Sequence, residues 1–169
     1  MKKTLWFALT VLTAAGVAGA VPRGLSGLGV GFGGVFGDLD DATLNAEADF
    51  GLPPYVGLGP ELSLGFGDAT ALAMGAGGRV YFLAKMNYPV QPYMNFGGGV
   101  AMVFIDTSDY WWGAHDDWVG GYIRFGMGTD FDIPNAPMAP FFQMGGIVAF
   151  GDGSWSDFEL RGGIRFAVW

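Results

Sequence analysis

The chain has 169 residues, of which 51% are hydrophobic and only 14% charged, with 31 glycines and no cysteine. Lacking cysteine, it can hold neither a disulfide framework nor a Cys-based zinc or redox site, and its formal net charge of -8 disfavours a phosphate backbone, hence nucleic acid, as partner. Glycine far above the usual ~7% also argues against helices, because each one costs about 1 kcal/mol in a helix interior.

Lys2 and Lys3 precede an apolar run over residues 5–17, and Ala18-Gly19-Ala20 supplies the small-x-small cleavage pattern of a secretory signal peptide. Residues 1–20 are read as that signal and residues 21–169 as a single domain. Mean hydropathy is +0.35, yet no later stretch is long and continuously apolar enough for a spanning helix. High apolarity without such a span points to strands.

Eight segments alternate with period two, a pattern no amphipathic helix produces. In residues 24–36, Leu28, Val30, Phe32 and Phe36 share one parity, with Gly27, Gly29, Gly31 and Gly33 on the other. Residues 42–52 set Ala42, Leu44, Ala46, Ala48, Phe50 and Leu52 against Thr43, Asn45, Glu47, Asp49 and Gly51. Residues 55–66 oppose Val56, Leu58, Leu62, Leu64 and Phe66 to Gly57, Glu61 and Ser63, and residues 72–82 oppose Leu72, Met74, Val80 and Phe82 to Gly75, Gly77, Arg79 and Tyr81.

The fifth segment, 93–104, places Met94, Phe96, Val100, Met102 and Phe104 opposite Tyr93, Asn95, Gly97 and Gly99. The sixth, 119–131, places Val119, Ile123, Phe125, Met127 and Phe131 opposite Tyr122, Arg124 and Asp130. The last two, 142–150 and 158–168, set Phe142, Met144, Val148 and Phe150 against Gln143, Gly145 and Ala149, and Phe158, Leu160, Ile164, Phe166 and Val168 against Glu159, Arg161, Gly163 and Arg165. Pro60 and Pro92 fall on the apolar parity, where a proline suits a bulge or a strand start.

A lipid-facing barrel turns its apolar parity outward, and a soluble one turns it inward. With strands running up and down, Phe36, Phe66, Phe104, Phe150 and Phe158 fall toward one rim, and Phe50, Phe82, Phe96, Phe131, Phe142 and Phe166 toward the other. Two aromatic girdles around an aliphatic band mark the lipid-facing case, and strands of about 11 residues suit a tilted crossing. One set of connections is rich in Gly-Asp and the other in Pro. The fold class expected is therefore all-β, an eight-stranded antiparallel up-and-down transmembrane β-barrel with both termini periplasmic.

This chain resembles the small eight-stranded outer-membrane barrels of the OmpA/OmpX type, across the whole of residues 21–169. Its most specific match is Arg161-Gly162-Gly163-Ile164-Arg165-Phe166-Ala167-Val168. There Arg161, Gly163, Phe166 and Val168 fit the C-terminal signal read by the barrel assembly machinery, and Trp169 displaces the terminal aromatic by one position. The resemblance implies a monomer in the bacterial outer membrane, without a periplasmic domain. Its partners would be outer-membrane lipid and lipopolysaccharide, with the assembly machinery during insertion.

Two groups of residues could carry function. Inward-facing Glu47, Asp49, Glu61, Asp130 and Glu159 nearly balance Arg79, Arg124, Arg161 and Arg165. In an interior just wide enough for side chains, these either pair and plug the lumen or line a narrow path for ions or small solutes. The inward glycines beside them either leave space for water or ease strand curvature.

The second group is the loop 106–118, which concentrates Asp109, Tyr110, Trp111, Trp112, His115, Asp116, Asp117 and Trp118. It is the candidate contact surface, and Asp109, Asp116 and Asp117 are candidate ligands for a hard cation such as calcium. The plainer reading keeps the aspartates in water and seats the four aromatics at the membrane interface. No cofactor is implied. His115 with Ser108 or Ser154 is the one pairing that a lipid-processing enzyme would have, but no nucleophile motif surrounds either serine, so the expectation is a structural or surface-interaction protein.

Overall fold

A computed structural model describes residues 25–38, 40–52, 56–67, 69–82, 89–105, 118–151 and 153–167. The expected signal peptide, most of the acidic loop, Val168 and Trp169 lie outside these residues. The described chain forms eight strands: β1 (Leu25–Gly37), β2 (Asp41–Leu52), β3 (Val56–Gly67), β4 (Ala69–Tyr81), β5 (Val90–Ile105), β6 (Trp118–Phe131), β7 (Met138–Gly151) and β8 (Ser154–Ala167). Each pairs antiparallel with its sequence neighbour, and β1 pairs with β8 to close the barrel. Closure matters because it leaves no strand edge with unpaired backbone groups.

Alternation fixes which side chain faces where. On the outward parity Phe32 is 66% exposed and Phe125 59%, whereas inward Tyr93 is fully buried and Glu159 is 1% exposed. The apolar parity is thus on the outside, and the charged parity lines the lumen. The turns β1–β2, β3–β4, β5–β6 and β7–β8 gather at one end, called here the Asp side, and β2–β3, β4–β5 and β6–β7 at the other, the Pro side.

Register sets the tilt. The paired residues Leu25, Phe50, Leu58, Gly78, Phe96, Phe125, Gly146 and Phe158 lead once round the barrel and back to β1 at Phe36. The path therefore climbs β1 nearly end to end, with one residue absorbed by a bulge between Leu25 and Gly27. Such stagger requires strands inclined by about 35–45° to the barrel axis.

The expected phenylalanine belts need one correction. Phe66, Phe104, Phe131 and Phe150 stand at strand ends as expected, but Phe96, expected at the Pro-side rim, lies toward the middle of β5 and pairs with Phe125, so that Phe50, Phe96, Phe125 and Phe158 form a diagonal stripe between the rims. Gly78 and Gly146 sit beneath that stripe: a Cβ at Gly78 would meet the Phe96 ring at 2.5 Å, and one at Gly146 the Phe125 ring at 3.3 Å. Cross-strand aromatics covering glycines stabilise a curved sheet.

The prolines behave differently from one another. Pro92 lies near the start of β5, as expected. Pro60 lies inside β3 and forms no bulge; the β2–β3 ladder lapses between Glu47–Glu61 and Phe50–Leu58 and resumes in the same register, while the β3–β4 ladder runs through. Proline has no N–H to give to the ladder, so the lapse falls on one side only.

Several inward glycines mark close backbone approach. A Cβ at Gly75 would lie 2.3 Å from the Gly98 carbonyl oxygen and one at Gly99 2.1 Å from that of Met74, whereas nothing lies within 4 Å at Gly153. Gly75→Ala is accordingly expected to destabilise the barrel by about 1–3 kcal/mol through overpacking, with Gly153→Ala neutral. Urea titration of the refolded barrel in lipid, compared at equal slope, checks both.

Candidate functional site

The nine charged residues expected in the lumen are brought together in two clusters. On the Pro side, Arg79 of β4 contacts Glu47 at 2.6 Å and also pairs with Asp49, both from β2. Arg165 of β8 reaches Glu47 at 2.7 Å and pairs with Asp130 of β6. All five residues come from the later halves of β2, β4, β6 and β8, the strands that run toward the Pro side.

Aromatic groups complete this cluster. Tyr81 Oη donates to Asp130 at 2.8 Å, and Arg165 Nη2 donates to Tyr93 Oη at 3.0 Å. The Arg165 guanidinium lies 4.1 Å from the centre of the Phe141 ring and 5.1 Å from that of Tyr93, within cation–π range. Tyr81 and Tyr93 meet edge to face at 5.4 Å.

The second cluster lies nearer the middle of the barrel. Arg124 of β6 pairs with Glu61 of β3 and lies 3.7 Å from Glu159 of β8, which in turn pairs with Arg161. Tyr122 Oη donates to Glu61 at 2.8 Å. Two arginines and two glutamates balance here, whereas the Pro-side cluster has three carboxylates for two arginines. Apart from Glu159–Arg161, which lies within β8, these ion pairs bridge strands that are not neighbours in the sheet, so they tie the barrel across its interior.

The inward glycines are explained by the same groups. A Cβ at Gly29 would lie 2.5 Å from Glu47 Oε1, and one at Gly77 2.7 Å from Glu61 Oε2. Carboxylates occupy the room that those glycines provide. The cavity that remains beside Pro60, among Glu47, Asp49, Glu61, Arg79, Asn95 and Arg124, is about 20 Å³. It has room for a single water. Arg79 Nε, Arg124 Nε and Asn95 Oδ1 are buried without a protein partner, and a water there would find both donors and an acceptor.

Of the loop candidates, only Trp118 lies among the described residues. It is the first residue of β6 and on the inward parity, so it packs into the lumen against a cluster of Val35, Ala101, Tyr122, Ile147 and Ala149 rather than at the membrane interface. Its ring meets that of Trp155 at 5.9 Å, edge on. Asp109, Tyr110, Trp111, Trp112, His115, Asp116 and Asp117 lie outside the described residues, as does Ser108. Among described residues no group of three or more metal-ligating side chains converges. In the C-terminal motif, Arg161 and Gly163 face inward and Phe166 outward.

Sequence reasoning missed Phe141, which covers Arg165, and the inward apolar set Val35, Val103, Ile147 and Trp155. Phe141 and Ile147 share the parity of Gln143 and Gly145 and were legible from it. At the Asp-side seam, the Asp38 amide donates to Asp157, and the Ser156 amide donates to Asp38 Oδ2 at 3.2 Å, joining β1 to β8.

Removing one partner of a buried ion pair costs about 3–5 kcal/mol, chiefly because a charge is left unpaired. Arg124→Met should fall in that range, and Glu61→Gln combined with Arg124→Met should recover at least half of the loss. Urea unfolding of the two variants in lipid gives the comparison.

No family model and no curated protein matches this chain. Its structure is similar to that of Neisserial surface protein A, with a TM-score of 0.66 at 10% identity over 85% of this chain and 96% of the other. It is also similar to the N-terminal β-barrel domain of Pseudomonas aeruginosa OprF, at 0.64 and 12% identity over 86% and 100%. The outer membrane enzyme PagL gives 0.51 and 11% identity over 85% and 100%. The chain has the closed eight-stranded antiparallel fold of the small outer-membrane barrels.

Proposed function

We propose that this chain is a small barrel of the bacterial outer membrane with a structural or surface-interaction role, its lumen plugged on the Pro side by paired charges. The membrane reading is supported by the outward face, on which phenylalanine, methionine, valine and isoleucine stand exposed along most of the strands. Water would not tolerate so large an apolar surface, whereas lipid requires it. The fold shared with Neisserial surface protein A and the OprF domain agrees with that location.

The observation that carries the plug is the ion-pair set itself. Nine charged side chains from β2, β3, β4, β6 and β8 are paired inside the lumen, all but Glu159–Arg161 across strands, and the cavity among Glu47, Asp49, Glu61, Arg79 and Arg124 has room for about one water. An ion crossing this layer would have to break buried pairs, at several kcal/mol each.

In this reading both termini are periplasmic and the protein is monomeric, held by lipid and lipopolysaccharide after insertion by the assembly machinery. The acidic, aromatic loop 106–117 is its contact surface, with Asp109, Asp116 and Asp117 available to a hard cation. In this reading the protein is not an enzyme, and a likeness in fold to PagL at 11% identity transfers no activity to it.

Single-channel recording of the refolded chain in a planar bilayer tests the plug. The expected trace is silent, with conductance appearing in Arg124→Ala. Stable openings of the unmodified chain would make a narrow porin-like path for ions or small solutes the better reading.

A further inference from the structure

Pro60 stands inside β3 with no N–H to give. The β3–β4 ladder is continuous past it, so its nitrogen faces β2, where Ala48–Pro60 and Asp49–Gly59 are the missing pairs. Hydrogen-bonded and non-hydrogen-bonded pairs alternate along an antiparallel ladder, so the loss of one bond, from residue 60 to the Ala48 carbonyl, accounts for both. The Asp49 carbonyl accepts from Ser26 Oγ of β1 at 3.1 Å, and successive carbonyls point to opposite sides of a strand, so that of Ala48 points to β3. It has no ladder donor there. A carbonyl left so at membrane depth is costly, because lipid offers no hydrogen bond.

The lumen side can supply one. The Ala48 side chain is on the outward parity, yet Ala48 lines the cavity of about 20 Å³ beside Pro60, so its backbone is what faces that space. Its oxygen lies 1.6 Å from where a Cβ on inward-facing Gly59 would stand, nearer than any backbone atom comes to that point at the other described glycines. Three more atoms without a protein partner belong to residues lining the same cavity: Asn95 Oδ1, Arg79 Nε and Arg124 Nε. Each of these residues is 6% exposed or less. Arg161 and Arg165, by contrast, give Nε to Glu159 and Glu47.

Two donors and two acceptors around room for a single water match the hydrogen bonds that one buried water makes. The carboxylates lining the cavity are already engaged, Glu47 and Asp49 by Arg79 and Glu61 by Arg124, so the space calls for neither a cation nor an anion. We propose that this cavity is a binding site for one ordered water, which accepts from Arg79 Nε and Arg124 Nε and donates to Asn95 Oδ1 and to the Ala48 carbonyl, in place of the absent Pro60 N–H. The water repairs the wall from within. It also joins the two charged layers, since Arg79 belongs to one and Arg124 to the other. This site rests on the geometry of the wall and holds whether or not the lumen conducts.

The test is water–protein cross-relaxation, measured by NMR on the refolded, isotope-labelled chain in lipid nanodiscs. The Nε–H groups of Arg79 and Arg124 should both report a long-lived water, and those of Arg161 and Arg165 should not. Asn95→Leu, which removes an acceptor and fills the cavity, should abolish both contacts in a folded barrel. In Pro60→Ala the ladder bond returns, so the amide of residue 60 should be protected from hydrogen exchange and the water should leave about tenfold faster for want of one hydrogen bond. That variant serves alone should Asn95→Leu not refold.

Several results would overturn the assignment. They are the lack of a long-lived water at both Arg79 and Arg124, contacts that persist unchanged in the folded variants, and an unprotected amide at residue 60 in Pro60→Ala. Contacts that vary with sodium or chloride concentration would overturn it too, by making the occupant an ion.

Discussion

An eight-stranded barrel encloses little more than the width of its own side chains, so a charge that faces inward has no bulk water to turn to. Every strand alternates, and a polar parity must therefore be reconciled with a confined interior. This chain does so by pairing: Glu47 lies between Arg79 and Arg165, and Glu159 between Arg124 and Arg161. The backbone ladders hold neighbouring strands. The ion pairs hold strands two or three apart, β2 to β4 and β8, and β6 to β3 and β8, and they do it at two heights.

Those heights follow from where each charge falls along its strand. Glu47, Asp49, Arg79, Asp130 and Arg165 come late in strands that run toward the Pro side, and so share one layer. Glu61, Arg124, Glu159 and Arg161 lie nearer mid-strand and form the next. Above them the inward parity turns mixed, with Val35, Val103, Ile147 and Trp155 beside Thr43 and Ser63, and with Asp41 and Asp157 buried nearer the rim. The lumen is thus stratified by side-chain chemistry while the outer face is apolar throughout.

Much of this was legible in the sequence. Period two located eight strands, charge confined to one parity identified the inner face, and the division of turns into acidic and proline-bearing sets separated the ends. Register was not legible, because a tilted, staggered sheet pairs residues through turn lengths and bulges that the sequence does not print. Hence Phe96 was assigned by counting along one strand, although its place is set by Phe125 on the next. Pro60 illustrates a different gap: a missing N–H signals a break in pairing, but whether the register shifts or merely lapses depends on both neighbouring strands. Trp118 looked like a loop aromatic until its parity within β6 turned it inward.

The apolar layer is harder to read for a deeper reason. In a barrel wrapped by lipid, apolar residues on the outward parity are the rule, so an inward Val or Ile looks like noise in the alternation. Yet such residues leave fewer polar atoms to satisfy and pack without water. Their packing depends on what lies beneath them. Arg124, Glu159 and Arg161 belong to the paired layer and also line the cavity above it, beside Val35, Val103, Ile147 and Trp155. Breaking one of those pairs would leave a buried charge facing the apolar side chains above, so the packing of the upper lumen and the pairing of the layer beneath it stand or fall together.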